Sequence, residues 1–141
     1  MGSWYKMKKI GFITTNRVLA QSLTAIVNDC SELEAEPFIL LDPRQVPLDA
    51  EVLKIDVAVV DISMEAGASD ESDMAWPSLC DSLRSTVPGC MILLLVPQGN
   101  VKQRYAAIKA VRNNAADDFV FSDLSLDYLF AKLMVLLNVQ V

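Results

Sequence analysis

The sequence has no histidine anywhere in its 141 residues. That excludes imidazole general bases, Ser-His pairs and histidine metal sites, and many enzyme classes go with them. Cysteine is scarce: Cys30, Cys80 and Cys90 are odd in number and lack metal-ligand spacing, which points to free thiols in a reducing cytoplasm. No apolar run approaches the length of a membrane span, so no membrane partner is expected. The opening "MGSWYKMKK" lacks the apolar stretch of a secretory signal, and its "GS" reads as a tag remnant ahead of a start at Met7. Positive charge is also short. Twelve Lys and Arg stand against 18 Asp and Glu, a net charge of −6, so the basic face that phosphate contacts need is missing and no nucleic-acid binding is expected.

What is present is apolar. The chain is 52% hydrophobic and 21% charged, the composition of a folded globular protein. With no linker, internal repeat or low-complexity stretch, it reads as an N-terminal extension over 1–7 and a single domain over 8–141. Lys9 to Ile13, "KIGFI", is a short apolar strand. The period then switches: Val18, Leu19, Ser22, Leu23, Ile26 and Val27 share one helical face, capped by Thr15 or Asn16. Pro37 opens a second strand, "FILL", and Asp49 to Leu53 offers a short helix. "VAVVD" is a third strand that delivers Asp61 to its end. A polar stretch with Glu65, Asp70, Glu71 and Asp73 leads to a helix over Met74 to Thr86. "CMILLLV" is the most hydrophobic strand. Asn100 caps a fourth helix, with Val101, Tyr105, Ile108 and Val111 expected inward; "FVF" is a last strand, and Leu124 to Leu137 a last helix.

Five strands alternate with five helical segments, and their apolar runs are continuous rather than alternating. Such strands are buried on both faces, which requires a parallel sheet covered by helices. Right-handed crossovers predict an α/β, doubly wound, open sheet with its functional crevice at the carboxyl ends of the strands. The loops after Ile13, Val60, Val96 and Phe121 are therefore where function is expected.

Over Lys8 to Leu137 the chain resembles the receiver domain of two-component response regulators. "VAVVDIS" is similar to that family's third strand, which ends in a phospho-accepting aspartate, here Asp61. "NNAADDFVFSDLS" is similar to its "GADDYLVKPF", and the final helix follows at the expected distance. The resemblance implies a flavodoxin-like fold with strand order 2-1-3-4-5. It also exposes departures. Where the family carries an acidic pair for magnesium, this chain has Thr14 and Thr15; where it carries a small hydroxyl residue, Pro97; where it carries lysine and a cis proline, Ser122 and Asp123. Phe119 occupies the position of the family's aromatic switch, without the hydroxyl residue that the switch answers to.

Phosphoryl transfer to a carboxylate brings two anions together, and its catalysis is mostly positioning and charge neutralisation. Magnesium prefers carboxylate oxygens, and hydroxyls are poor substitutes. The expectation is therefore a degenerate receiver: not an enzyme, with no catalytic residue, no metal ligand set and no cofactor, magnesium included. Asp61 is the phosphoacceptor candidate, and the competing reading makes it a structural acid that caps a turn. Two alternatives stand beside this one. The chain could be a conventional receiver phosphorylated on Asp61. It could also be a flavodoxin-like domain holding a nucleotide or flavin phosphate at "TTNR", although that loop lacks the glycines of a phosphate cradle.

The expected activity is protein–protein interaction in a cytoplasmic phosphorelay. In the last helix Leu126, Leu129, Phe130, Leu133, Leu136 and Leu137 form the core stripe, and Tyr128, Met134 and Val135 add apolar surface beyond it. The resemblance implies that the fourth helix, fifth strand and fifth helix form the face where dimers and partners dock. The expected partners are a second copy and a histidine kinase. Lys102, Arg104, Lys109 and Arg112 would face Asp117, Asp118, Asp123 and Asp127 there.

Overall fold

The computed structural model describes residues 7–63, 76–123 and 125–139. Strands β1 (Lys8–Ile13), β2 (Ala35–Leu40), β3 (Val57–Asp61), β4 (Met91–Val96) and β5 (Asp118–Phe121) form one sheet. All adjacent pairs are parallel, in the order β2-β1-β3-β4-β5. Helices α1 (Arg17–Asp29), α2 (Val46–Leu53), α3 (Trp76–Thr86), α4 (Val101–Arg112) and α5 (Leu126–Val139) connect the strands or close the chain. A single 3-10 turn, Ser31–Leu33, sits between α1 and β2. The sheet is the doubly wound one that the apolar runs predict.

Two cores lie on opposite faces of that sheet. Ile10, Phe12, Val57, Val59, Leu93 and Leu95 point to the side covered by α1 and α5. Ile13, Ala58, Val60, Ile92, Leu94 and Val96 point to the side covered by α2, α3 and α4. Strand side chains alternate, so a strand with helices on both faces must be apolar at every position. β3 meets this condition over its whole length, and Asp61 is buried with the four apolar residues before it.

Several boundaries and faces differ from the sequence expectation. β2 begins at Ala35 and carries Pro37 inside it, opposite Ile10. β2 is an edge strand, where a missing N–H leaves no ladder bond unmade. α2 begins at Val46 rather than Asp49, because Pro47 fits in a first helical turn, whose N–H groups have no intrahelical acceptor. Val18, Val101 and Tyr105 are exposed instead of facing inward. In α1 the buried positions are Ala20, Leu23 and Val27, and in α4 only Ala107 is fully buried. At about 100° per residue Val18 lies roughly 160° from buried Ala20 and Tyr105 roughly 160° from buried Ala107, so both fall on the outer side. Met74, Leu124 and the acidic residues Glu65, Asp70, Glu71 and Asp73 lie outside the described residues, as does the side chain of Leu126. Among the described residues no helix is long and apolar enough to cross a membrane.

Candidate functional site

The carboxyl ends of β1 and β3 are neighbours in register, with Ile13 opposite Val60. The next residue on each strand, Thr14 and Asp61, points to the α1/α5 side, continuing the alternation of Phe12 and Val59. Thr14 Oγ1 donates to Asp61 Oδ2 at 2.6 Å. Thr14 is 2% exposed and Asp61 5% exposed, and they are the two buried polar residues of the described chain. The second carboxylate oxygen is also occupied. Asp61 Oδ1 accepts from the Ser63 backbone N–H at 3.0 Å and from Ser63 Oγ at 2.5 Å. A buried carboxylate must recover the hydrogen bonds it loses with water, and neutral hydroxyl and amide donors supply them here.

The loop after β1 is organised around the same threonine. Thr14 Oγ1 accepts from the Asn16 backbone N–H at 3.0 Å. Asn16 caps α1 by accepting from Leu19 N at 3.0 Å. Asn16, not Thr15, is thus the cap, and Thr15 is exposed. On the other side of the edge, Asn100 caps α4 through Gln103 N at 3.0 Å, and the Gln103 side chain donates to the Ile62 carbonyl at 2.7 Å. That bond ties α4 to the residue next to Asp61.

Pro97 follows β4 half-buried, and exposed Ser122 follows β5 with its backbone N–H bonded to Val96 O at 2.9 Å. Thr14, Thr15, Asp61, Pro97 and Ser122 therefore share one edge of the sheet, but only Thr14 among them bonds to Asp61 among the described residues. Phe119 is half-buried and packs edge-on against Phe121, with ring centroids 5.8 Å apart. The sequence reading missed Ser63 and Gln103. Ser63 carried a signal, since an aspartate two residues before a serine is a common turn. Gln103 carried none, because its partner lies 41 residues away.

The donor set fits magnesium poorly. Thr14 and Thr15 are neutral hydroxyls, and Asp61 already accepts three hydrogen bonds from the protein. Among the described residues no three His, Cys, Asp or Glu side chains cluster as a metal site. Thr14 and Asn16, the groups that could cradle a phosphate at "TTNR", are likewise engaged internally.

The face expected to dock partners divides in two. Tyr128, Lys132 and Val135 lie along one edge of α5: Lys132 Nζ is 5.7 Å from the Tyr128 ring centroid and 2.7 Å from Asp118 Oδ2. Lys132 titrates above the ordinary lysine range, chiefly through its hydrogen bond to Asp118. Met134 faces the other way, into a groove against Ile26 and Asp29 of α1. Three of the four acids expected opposite α4 are directed elsewhere, and Asp123 is exposed just past β5. Asp117 pairs with Arg84 at 3.1 Å and accepts from Ile92 N at 2.8 Å, Asp118 holds Lys132, and Asp127 lines the α1/α5 groove. Lys102, Arg104, Lys109 and Arg112 make no ion pair among the described residues.

No family model matches the sequence, and no curated protein matches it. Solved structures do match, over nearly the whole chain. The signal receiver domain of an HD domain-containing protein from Pseudomonas fluorescens Pf-5 superposes with a TM-score of 0.76 at 15% identity, covering 96% of this chain and 90% of that one. A CheY-like response regulator receiver domain protein from Methanospirillum hungatei JF-1 gives 0.75 at 16% identity, with 96% and 97% covered. The beryllofluoride-activated NtrC4 receiver domain dimer gives 0.75 at 18% identity, with 96% and 100% covered. The chain has the receiver fold.

Proposed function

We propose that this chain is a receiver-like signalling module of a cytoplasmic two-component phosphorelay that acts by binding protein partners, with Asp61 serving as a structural clasp. It is not an enzyme in this reading, and it needs no cofactor. The observation that carries the proposal is the bonding of Asp61. Thr14 and Ser63 donate three hydrogen bonds to its two oxygens, which makes them weaker nucleophiles, and attack on phosphorus also needs a cation to neutralise the charge. Losing a single charge-stabilising contact costs about 10²–10³ in rate, and here both the magnesium ligands and the lysine of the family's pattern are replaced. The partner surface is the outer face of α4, with Lys102, Tyr105, Lys109 and Arg112 exposed, beside the half-buried β5 and the exposed Tyr128 and Val135 edge of α5. A histidine kinase and a second copy are the partner classes, and the NtrC4 receiver domain dimer is a precedent for the second.

The test is incubation with acetyl phosphate and magnesium, followed by intact mass measurement beside Asp61→Asn. No added phosphate is expected on either protein. A phosphate adduct on wild type that Asp61→Asn lacks would restore the conventional receiver.

A further inference from the structure

α4, with the sequence VKQRYAAIKAVR, holds four of the twelve cations in the chain and no acid. The remaining residues therefore carry eight cations against eighteen acids. At about 100° per residue, Val101, Lys102, Tyr105, Lys109 and Arg112 fall within roughly 100° of arc on this helix. Val101 is 55% and Tyr105 68% exposed, so one outer face presents an aromatic ring and an aliphatic side chain among three cations.

The opposite face of the sheet carries a complementary feature. A groove of about 540 Å³ runs between α1 and α5, with Ile26, Phe130 and Met134 as its apolar part and Asp29, Glu32 and Asp127 as its charged part. No cation lines it. α4 covers one face of the sheet while α1 and α5 cover the other, so one molecule cannot bring its own α4 to its own groove.

We infer that α4 of one copy docks in the α1/α5 groove of a second copy, a head-to-tail contact. This rests on the reading of the chain as a partner-binding module and names the partner. Tyr105 is the anchor, because an aromatic side chain buries much area for little lost freedom. Lys109 and Arg112 meet the groove acids. The alternative, α4 against α4 about a two-fold axis, sets three outer-face cations against three. Three of the four acids that could relieve this are held by Arg84 and Lys132 or turned to the groove, which leaves Asp123 alone against them. Head-to-tail contacts build open chains or rings instead of closed dimers. One helix face is a small interface, so association is weak, concentration-dependent and weakened by salt.

Two exposed double variants test this in the full chain: Lys109→Glu with Arg112→Glu on α4, and Glu32→Lys with Asp127→Lys in the groove. Sedimentation from micromolar to millimolar concentration should show growing oligomers for wild type. Each variant alone should self-associate at least about a hundredfold more weakly, since like charges then face each other. Mixed together, the two should co-assemble in equal proportion, because the intact α4 meets the intact groove and the two reversed surfaces are again opposite in charge. If Asp127→Lys lowers the melting temperature through its place in the first turn of α5, Glu32→Lys alone serves as the groove arm. A wild type that stays monomeric, a groove variant that still assembles, or a mixture without a complex would each overturn the inference. None of these results bears on phosphate transfer to Asp61, so failure here and failure of the clasp reading are separable.

Discussion

Removing the Thr14 hydroxyl tests whether Asp61 is a clasp. Thr14→Val keeps the branched shape, so it opens no cavity and takes away only Oγ1. That atom donates to a buried carboxylate at 2.6 Å and accepts from Asn16 N at 3.0 Å. A hydrogen bond to a charged group is worth about 1.5–3 kcal/mol, and Asn16 is exposed enough for water to replace its lost acceptor. The expected cost is about 2 kcal/mol, or a fall in melting temperature of roughly 4–10 °C for a chain of this size. In an Asp61→Asn background the partner is neutral and the same bond is worth only about 1 kcal/mol. Thr14→Val should then cost correspondingly less, leaving a coupling energy of about 1 kcal/mol in the double-mutant cycle. Urea unfolding at neutral pH, followed by circular dichroism, measures all four corners, and Thr14→Ser should recover most of the loss. Thr14→Val and Asp61→Asn effects that simply add would refute the clasp, because residues sharing one hydrogen bond cannot be energetically independent.

Burial pushes the Cys80 and Cys90 thiols up to about 12, so neither forms thiolate near neutral pH. A thiol reagent at pH 8 should therefore modify neither in the folded protein and both in denaturant; rapid labelling of either without denaturant would contradict the packing. The same shifts predict that stability is unaffected below the ordinary thiol pKa of 9.0 and falls from there towards pH 12, where the unfolded chain ionises and the folded chain does not, which urea titrations across that range would check. Asp117→Ala removes the acceptor for Ile92 N and the partner of Arg84, and should cost about 1–2 kcal/mol by urea unfolding. A neutral result would mean that water caps the start of β4 equally well.

The sheet was legible in the sequence because burial on both faces leaves a local mark. Val57 to Val60 and Ile92 to Val96 admit no polar residue, and only a parallel sheet between helical layers makes that demand on short runs. Asp61 was legible for the same reason, as the one charge ending such a run. The chain itself also determined what the site lacks, since Thr14, Thr15, Pro97 and Ser122 can be read without coordinates.

Tertiary structure alone decided how those residues are used. Whether Thr14 points at Asp61 depends on the β1/β3 register, which no local pattern encodes. Helix periodicity identifies an apolar stripe, but which arc is buried depends on how the helix is rotated against the sheet. With Ala20, Leu23 and Val27 of α1 and Ala107 of α4 against the sheet, Val18, Val101 and Tyr105 face outward against expectation. Met134 could be placed off the core stripe from sequence, yet its position in the α1 groove depends on α5 packing beside α1. Charge pairing is the extreme case. Asp117 and Asp118 stand side by side in the chain but are held by Arg84 and Lys132, from different helices, because short-range electrostatics follow distance in space rather than in sequence.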